Sequence, residues 1–211
     1  MKIAIIGATG WIGSTIMAEA LMRKHHVVAI SREANKITQA GVITHSVDLE
    51  NGNGLKEAID GADVVIASIG GRAKGNHGIV AQAAQRLLND LPSFNAKRLI
   101  WVGGAGSLEV APNVQLVSLP DFPADYKDEA IAQGQALTVF KNSNSTLDWL
   151  FVSPAAEIFP GKRTGSYRTG GDNLLTDASG DSKISVQDYA VALLDKAEQS
   201  IHHNTRIGVA Y

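Results

Sequence analysis

The segment "GATGWIG", Gly7 to Gly13, constrains the fold more than any other part of the sequence. It follows a short apolar run, Lys2 to Ile6, which is typical of a buried strand, and it precedes a stretch with helical periodicity. Glycines at such a junction allow a tight turn, let a phosphate approach the backbone, and let the helix pack on the strand. The spacing therefore predicts a dinucleotide site, with the pyrophosphate at a helix N-terminus.

Short β-branched runs alternate with longer helical stretches along the chain. We expect strands at Lys2–Ile6, Val27–Ser31, Val42–Ser46, Asp63–Ser68, Arg98–Gly103 and Leu147–Ser153, and helices at Trp11–Lys24, Gly54–Ile59, Ile79–Leu91, Ala130–Asn142 and Val186–Ser200. Strand–helix repeats of this kind predict an α/β fold. The expected architecture is a Rossmann-type, doubly wound parallel sheet with helices on both faces and a small loop-rich C-terminal part.

The length of 211 residues suits one domain, residues 1–211. Residues 154–184 within it are rich in Gly, Pro, Ser and Asp, so we expect loops there, with short strands at Gly165–Arg168 and Asn173–Thr176. Ser185 then has the character of an N-cap, with Asp188 three residues later. A last helix carries an apolar stripe, Tyr189, Leu193, Ala197 and Ile201, and "TRIGVAY" predicts a final strand.

Composition excludes several classes of function. The formal charge of -2 gives no basic excess for binding nucleic acid. The absence of cysteine removes disulfides, thiolate nucleophiles and Cys-ligated metals, so any redox chemistry must come from a bound cofactor. Because no apolar segment approaches the roughly 18 residues of a membrane span, we expect no membrane association. A cytoplasmic monomer or homodimer that acts on a small molecule is the expectation.

The residues after the second predicted strand indicate which dinucleotide binds. NAD-binding proteins place an acidic residue there for the ribose 2′-hydroxyl, whereas this chain has Ser31 and Arg32. A guanidinium binds a 2′-phosphate through charge-assisted hydrogen bonds, which favours NADPH. The alternative is that Arg32 is a solvated charge and that Glu33 binds NADH.

Further cofactor contacts are expected at the glycine loop and at the ends of the other strands. In the loop they are Gly7, Thr9, Gly10, Trp11, Ile12 and Gly13, with core packing as the alternative for Trp11 and Ile12. After the third strand Asp48 can meet the adenine amino group and Leu49 can cover the adenine face. At the ends of the fourth, fifth and sixth strands the expected contacts are Ser68, Ile69 and Gly70, Gly103 and Gly104, and Pro154 and Ala155.

The acid/base pair of alcohol-oxidising short-chain dehydrogenases, Tyr-x-x-x-Lys, is absent from the sequence. Tyr126, Tyr167 and Tyr189 are followed four places later by Ala130, Gly171 and Leu193, and Tyr211 is the last residue.

Several longer segments resemble one particular family. They are "GATGWIG", "VGGAGSLEVAP", "DFPADYK", "LDWLFVSPAAEIFPGKRTGSYRTGGDNLL" and "ISVQDYAVALLDKAE", which together span most of the chain. They are similar to the NADH-flavin reductases among the atypical short-chain dehydrogenase/reductases, which are related to biliverdin-IXβ/flavin reductases and more distantly to NmrA-like regulators. The resemblance implies an NAD(P)H-binding fold and reduction of a flavin, FMN or FAD, or of a quinone-like acceptor.

Three residues near the expected acceptor crevice are candidates for catalysis. Ser107 could orient the nicotinamide amide or the acceptor, or could cap a turn. Tyr126 could stack on a flavin or quinone ring, or could be a structural corner. His77 could donate a proton or could be a solvated loop residue. The adjacent pairs His25–His26 and His202–His203 lack supporting carboxylates, so we assign no metal.

Two hypotheses for the function remain open at the level of sequence. One is an NAD(P)H-dependent reductase that transfers a hydride from NADPH to a flavin or quinone-like acceptor, since reduction of a conjugated ring does not require a dedicated acid. The other is an NmrA-like redox sensor that binds the dinucleotide without turnover. The absent tyrosine–lysine pair disfavours a third possibility, a sugar-nucleotide epimerase.

Overall fold

The computed structural model describes residues 1–72, 75–199 and 204–211. The strands are β1 Lys2–Ile6, β2 His26–Ser31, β3 Val42–Ser46, β4 Val64–Ala67, β5 Arg98–Val102, β6 Glu109–Ala111, β7 Val114–Gln115, β8 Asp148–Ser153, β9 Glu157–Phe159, β10 Arg168–Gly170, β11 Lys183–Ser185 and β12 Thr205–Ala210. The helices are α1 Trp11–Met22, α2 Leu55–Ile59, α3 Gly78–Ser93, α4 Ala124–Lys141 and α5 Val186–Glu198. Three-residue 3₁₀ turns lie at Ala34–Lys36 and Leu116–Ser118.

The central sheet has eight strands in the order β10-β12-β8-β5-β4-β1-β2-β3, and all neighbouring strands are parallel except β10, which is antiparallel to β12. The chain moves outward in one direction from β1 through β2 to β3, and in the other direction from β4 onward. The order therefore reverses between β1 and β4, and a crevice opens at the carboxyl ends of the strands at such a point. The expected doubly wound Rossmann-type fold is confirmed.

Helices cover both faces of the sheet, which explains the continuous apolar runs in its strands. Ile3 and Ile5 of β1 belong to a core with α1 and α5, whereas Ala4 and Ile6 belong to a second core with α2, α3 and α4. The second core contains an aromatic group around Phe140, whose ring centroid lies 5.2 to 5.7 Å from those of Trp101, Trp149 and Phe151. This packing fixes α4 against β5 and β8.

The greatest difference from the expected helix boundaries is in α4, which begins at Ala124 and not at Ala130. The segment "ADYKD" is exposed and mostly polar, so it lacks the apolar periodicity by which a helix is recognised. Pro123 precedes the helix and Asp125 lies in its first turn, where a negative charge interacts favourably with the helix dipole. The earlier start places Tyr126 on the first turn of α4.

The short strands of the C-terminal part differ from expectation. Instead of Gly165–Arg168 the strand is β10, and residues 173–176 form only an isolated bridge from Asn173 to Glu109. The structure also contains strands that the sequence does not predict. They are β9 and β11, which pair with each other, and the β6–β7 hairpin, in which Asn113 adopts a φ of 62°. Pairing with distant segments determines these strands, and no local pattern reveals it.

Polar contacts attach the 160–167 segment to α5. Ser185 is the N-cap of α5, as expected, because its Oγ accepts a hydrogen bond from the amide of Asp188. The side-chain carboxylate of Asp188 accepts hydrogen bonds from the amides of Thr164 and Gly165 at 2.8 and 2.7 Å. In the apolar stripe Tyr189, Leu193 and Ala197 are buried, while Ile201 and the expected helix end at Ser200 lie outside the described residues. No helix in the described ranges is long and apolar enough to cross a bilayer.

Candidate functional site

The glycine loop leaves no room for side chains at two of its three glycines. A Cβ on Gly7, whose φ is +82°, would lie 2.0 Å from the carbonyl oxygen of Ser68, and one on Gly13 would lie 2.2 Å from that of Gly7. The amide of Gly7 donates to the carbonyl of Ile30 at 2.9 Å. The ends of β1, β2 and β4 thus meet at the loop, and α1 packs directly on its backbone.

The N-terminus of α1 faces the crevice, and backbone amides of its first turn lack hydrogen-bond acceptors in the described residues. Gly10 is the N-cap and has no side chain to accept a hydrogen bond from the first turn. Within the described chain, the amides of Trp11, Ile12 and Gly13 find no acceptor. The first turn also lacks an acidic residue, and Thr9 and Trp11 are exposed beside it. Free amides at the positive end of a helix dipole fit an anionic diphosphate.

The end of β2 presents Arg32 to solvent. The Oγ of Ser46 donates to the carbonyl of Arg32 at 2.8 Å and holds its backbone in place. No partner for the Arg32 guanidinium is found in the part of the chain that the structure describes, and Glu33 pairs with Lys36 at 2.8 Å. Ser31 is buried, and its Oγ accepts from the amide of Glu33. The free cation, and not the acid, is therefore available at this strand end.

The turn after β3 holds Asp48 and Leu49. The Oδ1 of Asp48 accepts a hydrogen bond from the amide of Glu50 at 3.0 Å, which stabilises the turn and leaves Oδ2 available. Leu49 is 8% exposed and packs in the same core as Leu55. Its side chain therefore lies mostly below the surface that an adenine ring would contact.

The ends of β4, β5 and β8 form the far side of the crevice. Ser68 and Ile69 are partly buried and Gly70 is exposed. Gly103 must be glycine, because a Cβ there would lie 2.1 Å from the ring of Phe151, and a Cβ on Gly104 would touch Gln133 of α4 at 3.0 Å. Pro154 and Ala155 are buried directly after β8.

Ser107 lies in the loop after β5 and is buried. Its Oγ accepts a hydrogen bond from Nη1 of the buried Arg206 at 3.2 Å, and Nε of Arg206 donates to Asp172 at 2.6 Å. Burial raises the pKa of Asp172, but the hydrogen bond and charge of Arg206 outweigh it, so the pKa lies below its ordinary value. Ser107 thus belongs to a polar network that joins β12 to the loops after β5 and β10.

Tyr126 and His77 belong to a second group of contacts, which joins the loop after β4 to the first turns of α4. Tyr126 is 53% exposed, and the guanidinium of Arg72 lies over its ring, 4.4 Å from the centroid. His77 is partly buried directly before α3, and its Nδ1 lies 3.0 Å from Oε2 of Glu129. The amide of Arg72 also donates to Glu129, so Tyr126, Arg72, His77 and Glu129 form one cluster.

Sequence reasoning missed Glu129 and Gln133, which lie one helical turn apart on the inner face of α4. The Gln133 amide donates to the carbonyl of Ile69 at 2.8 Å and accepts from the indole of Trp101 at 3.0 Å. Glu129 accepts from the amide of Gly71 at 2.9 Å. Two polar residues at i and i+4 on a face otherwise formed by Ala132, Ala136 and Phe140 were the available signal.

Three of the four tyrosine hydroxyls have structural partners. Tyr189 donates to the carbonyl of Val152 and Tyr167 to the carboxylate of Asp195, at 2.7 and 2.6 Å. Burial raises the pKa of both phenols above the ordinary value. Tyr211 donates to Asp188 at 2.6 Å. Only the Tyr126 hydroxyl has no hydrogen-bond partner within the described ranges.

The histidine pairs give no metal-binding arrangement in the described residues. The Nε2 of His25 lies 2.8 Å from Glu198, and His26 is exposed. No group of three potential ligands comes together in the ranges that the structure covers. His202 and His203 lie outside those ranges.

Comparisons with known proteins agree with this geometry. A family model described as NAD(P)H-binding matches residues 7–197. The uncharacterized protein YwnB of Bacillus subtilis is 41% identical over 212 residues, which cover 99% of this chain and 98% of YwnB.

Two solved structures match over the whole of this chain. A "putative exported protein" from Burkholderia pseudomallei has a TM-score of 0.89 and 42% identity and is also covered completely. A "putative NADH-flavin reductase" from Streptococcus pneumoniae has a TM-score of 0.89 and 33% identity, with 99% of its chain covered. Both the glycine loop, Gly7–Gly13, and the extent of these matches confirm the resemblance to atypical short-chain dehydrogenase/reductases. The chain belongs to the NAD(P)H-binding family.

Proposed function

We propose that this protein is an NADPH-dependent reductase that transfers a hydride to a flavin or quinone-like acceptor. The observation that carries the proposal is the cradle at the point where the strand order reverses. Gly7 and Gly13 cannot accept a Cβ, and the first amides of α1 lack acceptors. A bound NADPH supplies the hydride, and the protein supplies binding and orientation.

Arg32 supports NADPH over NADH as the cofactor. Its guanidinium is exposed at the end of β2, while Glu33, the acid that would bind a ribose hydroxyl, faces Lys36. An arginine that is free of protein partners can form paired hydrogen bonds with a 2′-phosphate.

The acceptor lies, in this proposal, beyond the ends of β4, β5 and β8, beside Ser107, Tyr126 and His77. Tyr126 is exposed and offers a flat ring beside the cluster of His77 and Glu129. Ser107 offers a buried hydroxyl, whose oxygen already accepts from Arg206 and whose proton is available to a ligand. The flavin reductase name of the relative from S. pneumoniae supports an acceptor with a conjugated ring.

Steady-state oxidation of NADPH, followed by its absorbance, tests the proposal with FMN, FAD and a panel of quinones. We expect turnover with at least one of these acceptors and a lower KM for NADPH than for NADH. A chain that binds NADPH but consumes it with none of these acceptors would contradict the proposal.

The same fold could serve an NmrA-like sensor, and the absent tyrosine–lysine pair favours that second candidate. A sensor binds NADPH tightly, as measured by calorimetry, does not consume it, and gains or loses a protein partner when NADPH is added. Partner binding that is independent of the cofactor would eliminate this candidate.

A further inference from the structure

The Glu129 carboxylate is surrounded by hydrogen-bond donors. Its Oε2 accepts from the amides of Gly71 and Arg72 and from Nδ1 of His77, at 2.9, 3.1 and 3.0 Å. Its Oε1 accepts from the Gln133 amide at 3.3 Å. Because an ionised carboxylate only accepts hydrogen bonds, the Nδ1 atom of His77 that faces it must carry a proton. Glu129 thus fixes both the orientation and the tautomer of the imidazole.

The other ring nitrogen of His77 is left available. Nε2 lies on the opposite side of the ring from Nδ1, and no partner for it is found within residues 1–72, 75–199 and 204–211. The side chain is 28% exposed. A histidine with one nitrogen held by a carboxylate and the other free has the arrangement of an oriented general acid or base.

The fold of the loop after β4 brings His77 to the rim of the crevice. A Cβ on Gly71 would lie 2.5 Å from Cα of His77, so the chain folds back tightly on the strand end. Gly70, the preceding residue, is exposed at the crevice, and a Cβ there would lie 3.2 Å from Oε1 of Glu129. The exposed ring of Tyr126, held beneath Arg72, lies on the neighbouring turn of α4. A flat acceptor stacked on Tyr126 therefore lies beside His77.

We propose that His77, positioned by Glu129, donates a proton to the acceptor, and that the acceptor is a para-quinone. The inference rests on the proposed function. A reduced flavin can remain an anion and take its proton from solvent. The anion formed when a quinone accepts a hydride is a much stronger base at its phenolate oxygen, so its protonation is accelerated by a positioned acid. A para-quinone that receives a hydride on one oxygen gains an electron pair on the other. There the Nε2–H bond of protonated His77 breaks as an O–H bond forms, and solvent returns a proton to the imidazole.

The first test compares two acceptors in the wild-type protein and in two variants. His77→Gln retains an amide that can donate to Glu129 but cannot carry the transferable proton, and His26→Gln replaces an exposed histidine away from the cluster as the control. For a para-quinone we expect kcat of His77→Gln to fall about 100-fold with little change in KM. We expect a smaller decrease with FMN than with the quinone in the same variant, because a reduced flavin can take its proton from solvent, and wild-type rates with both acceptors in His26→Gln.

The second test does not depend on turnover. In protein labelled with ¹⁵N-histidine, the signals of His77 are identified by their loss in His77→Gln. We expect its Nδ1 to be protonated in the wild type and to lose this preference in Glu129→Leu, which has no side-chain acceptor. We also expect added hydroquinone to shift the His77 Nε2 signal and to leave the His26 signals unchanged.

The outcomes separate the two proposals. If the wild type oxidises NADPH with none of the tested acceptors, the proposed function and this inference both fail. If it reduces FMN but no quinone, or if His77→Gln reduces the quinone at the wild-type rate, only this inference fails. An Nδ1 signal that is the same in Glu129→Leu as in the wild type also overturns the positioning role of Glu129.

Discussion

The guanidinium of Arg206 donates a hydrogen bond to Oγ of Ser107 across 3.2 Å, although 99 positions separate the two residues. Arg206 is 5% exposed and also pairs with Asp172, whose side chain is half exposed. The contact fixes the loop after β5, which closes one side of the crevice, to the last strand of the sheet. Ser107 therefore has a structural role whether or not it contacts a ligand.

Replacement of Arg206 by Met is expected to lower the free energy of unfolding by about 2 kcal/mol, because buried hydrogen bonds from a charged group are lost. Lys141→Met is the control, since Lys141 contacts the same carboxylate at 3.6 Å from an exposed position. The control should cost about 0–1 kcal/mol. Urea denaturation measures both, and equal losses in the two variants would contradict the structural role of Arg206.

Ser107→Ala separates the structural role of this residue from a catalytic one. The loss of one hydrogen bond should reduce stability by about 1 kcal/mol. If Ser107 contacts the acceptor as proposed, kcat/KM should also fall for every acceptor that is turned over. A variant with wild-type kinetics would leave Ser107 with the structural role alone.

Arg32→Ala is expected to raise the KM for NADPH about 10-fold and to leave the KM for NADH nearly unchanged. The expected change corresponds to the loss of a charge-assisted hydrogen bond to the 2′-phosphate. Lys36→Ala is the control, because Lys36 is a nearby exposed cation that already faces Glu33. Steady-state kinetics with both cofactors measure the preference, and an unchanged preference in Arg32→Ala would eliminate this role.

Gly13→Ala should weaken both folding and NADPH binding. The new methyl group would lie 2.2 Å from the Gly7 carbonyl oxygen, so α1 must move away from the loop, at a cost of about 1–3 kcal/mol. Gly171→Ala is the control, because a Cβ there meets nothing within 4 Å. Thermal unfolding and NADPH calorimetry measure the two effects. Wild-type affinity in Gly13→Ala would show that the loop does not hold the pyrophosphate.

Asp188 predicts how stability depends on acid pH. Burial raises the pKa of this carboxyl, but hydrogen bonds from Tyr211, Thr164 and Gly165 outweigh it, so the pKa lies below the ordinary value of 3.8. The carboxylate therefore stabilises the fold fully above about pH 4 and loses this effect as pH falls through the lowered pKa.

The Asp188→Asn variant should be less stable at neutral pH by about 1–3 kcal/mol. Its stability should also fall less steeply than that of the wild type below pH 4. Asp121→Asn, an exposed change, serves as the control in urea denaturation at several pH values. Parallel acid profiles for Asp188→Asn and the wild type would contradict the assignment.

The features that could be predicted from the sequence are those with a local signal. The glycine spacing of Gly7–Gly13, the β-branched runs and the Ser185 N-cap are each determined within a few residues, and the structure contains all three. The Glu129 contact with Gly71 spans 58 positions and depends on how α4 packs beside the end of β4. Arg206 has the character of an exposed strand residue in the sequence, and only the pairing of β12 with β8 buries it.

The measurement that tests the central claim most directly uses NADPH labelled with deuterium at one or the other of the two C4 positions. A cofactor held in the crevice presents only one face of its nicotinamide to the acceptor, so only one of the two C4 hydrogens is transferred. The account predicts that the label slows acceptor reduction in single-turnover experiments at one C4 position and not at the other. Reduction at equal rates with both labelled cofactors, or no NADPH consumption at all, would contradict it.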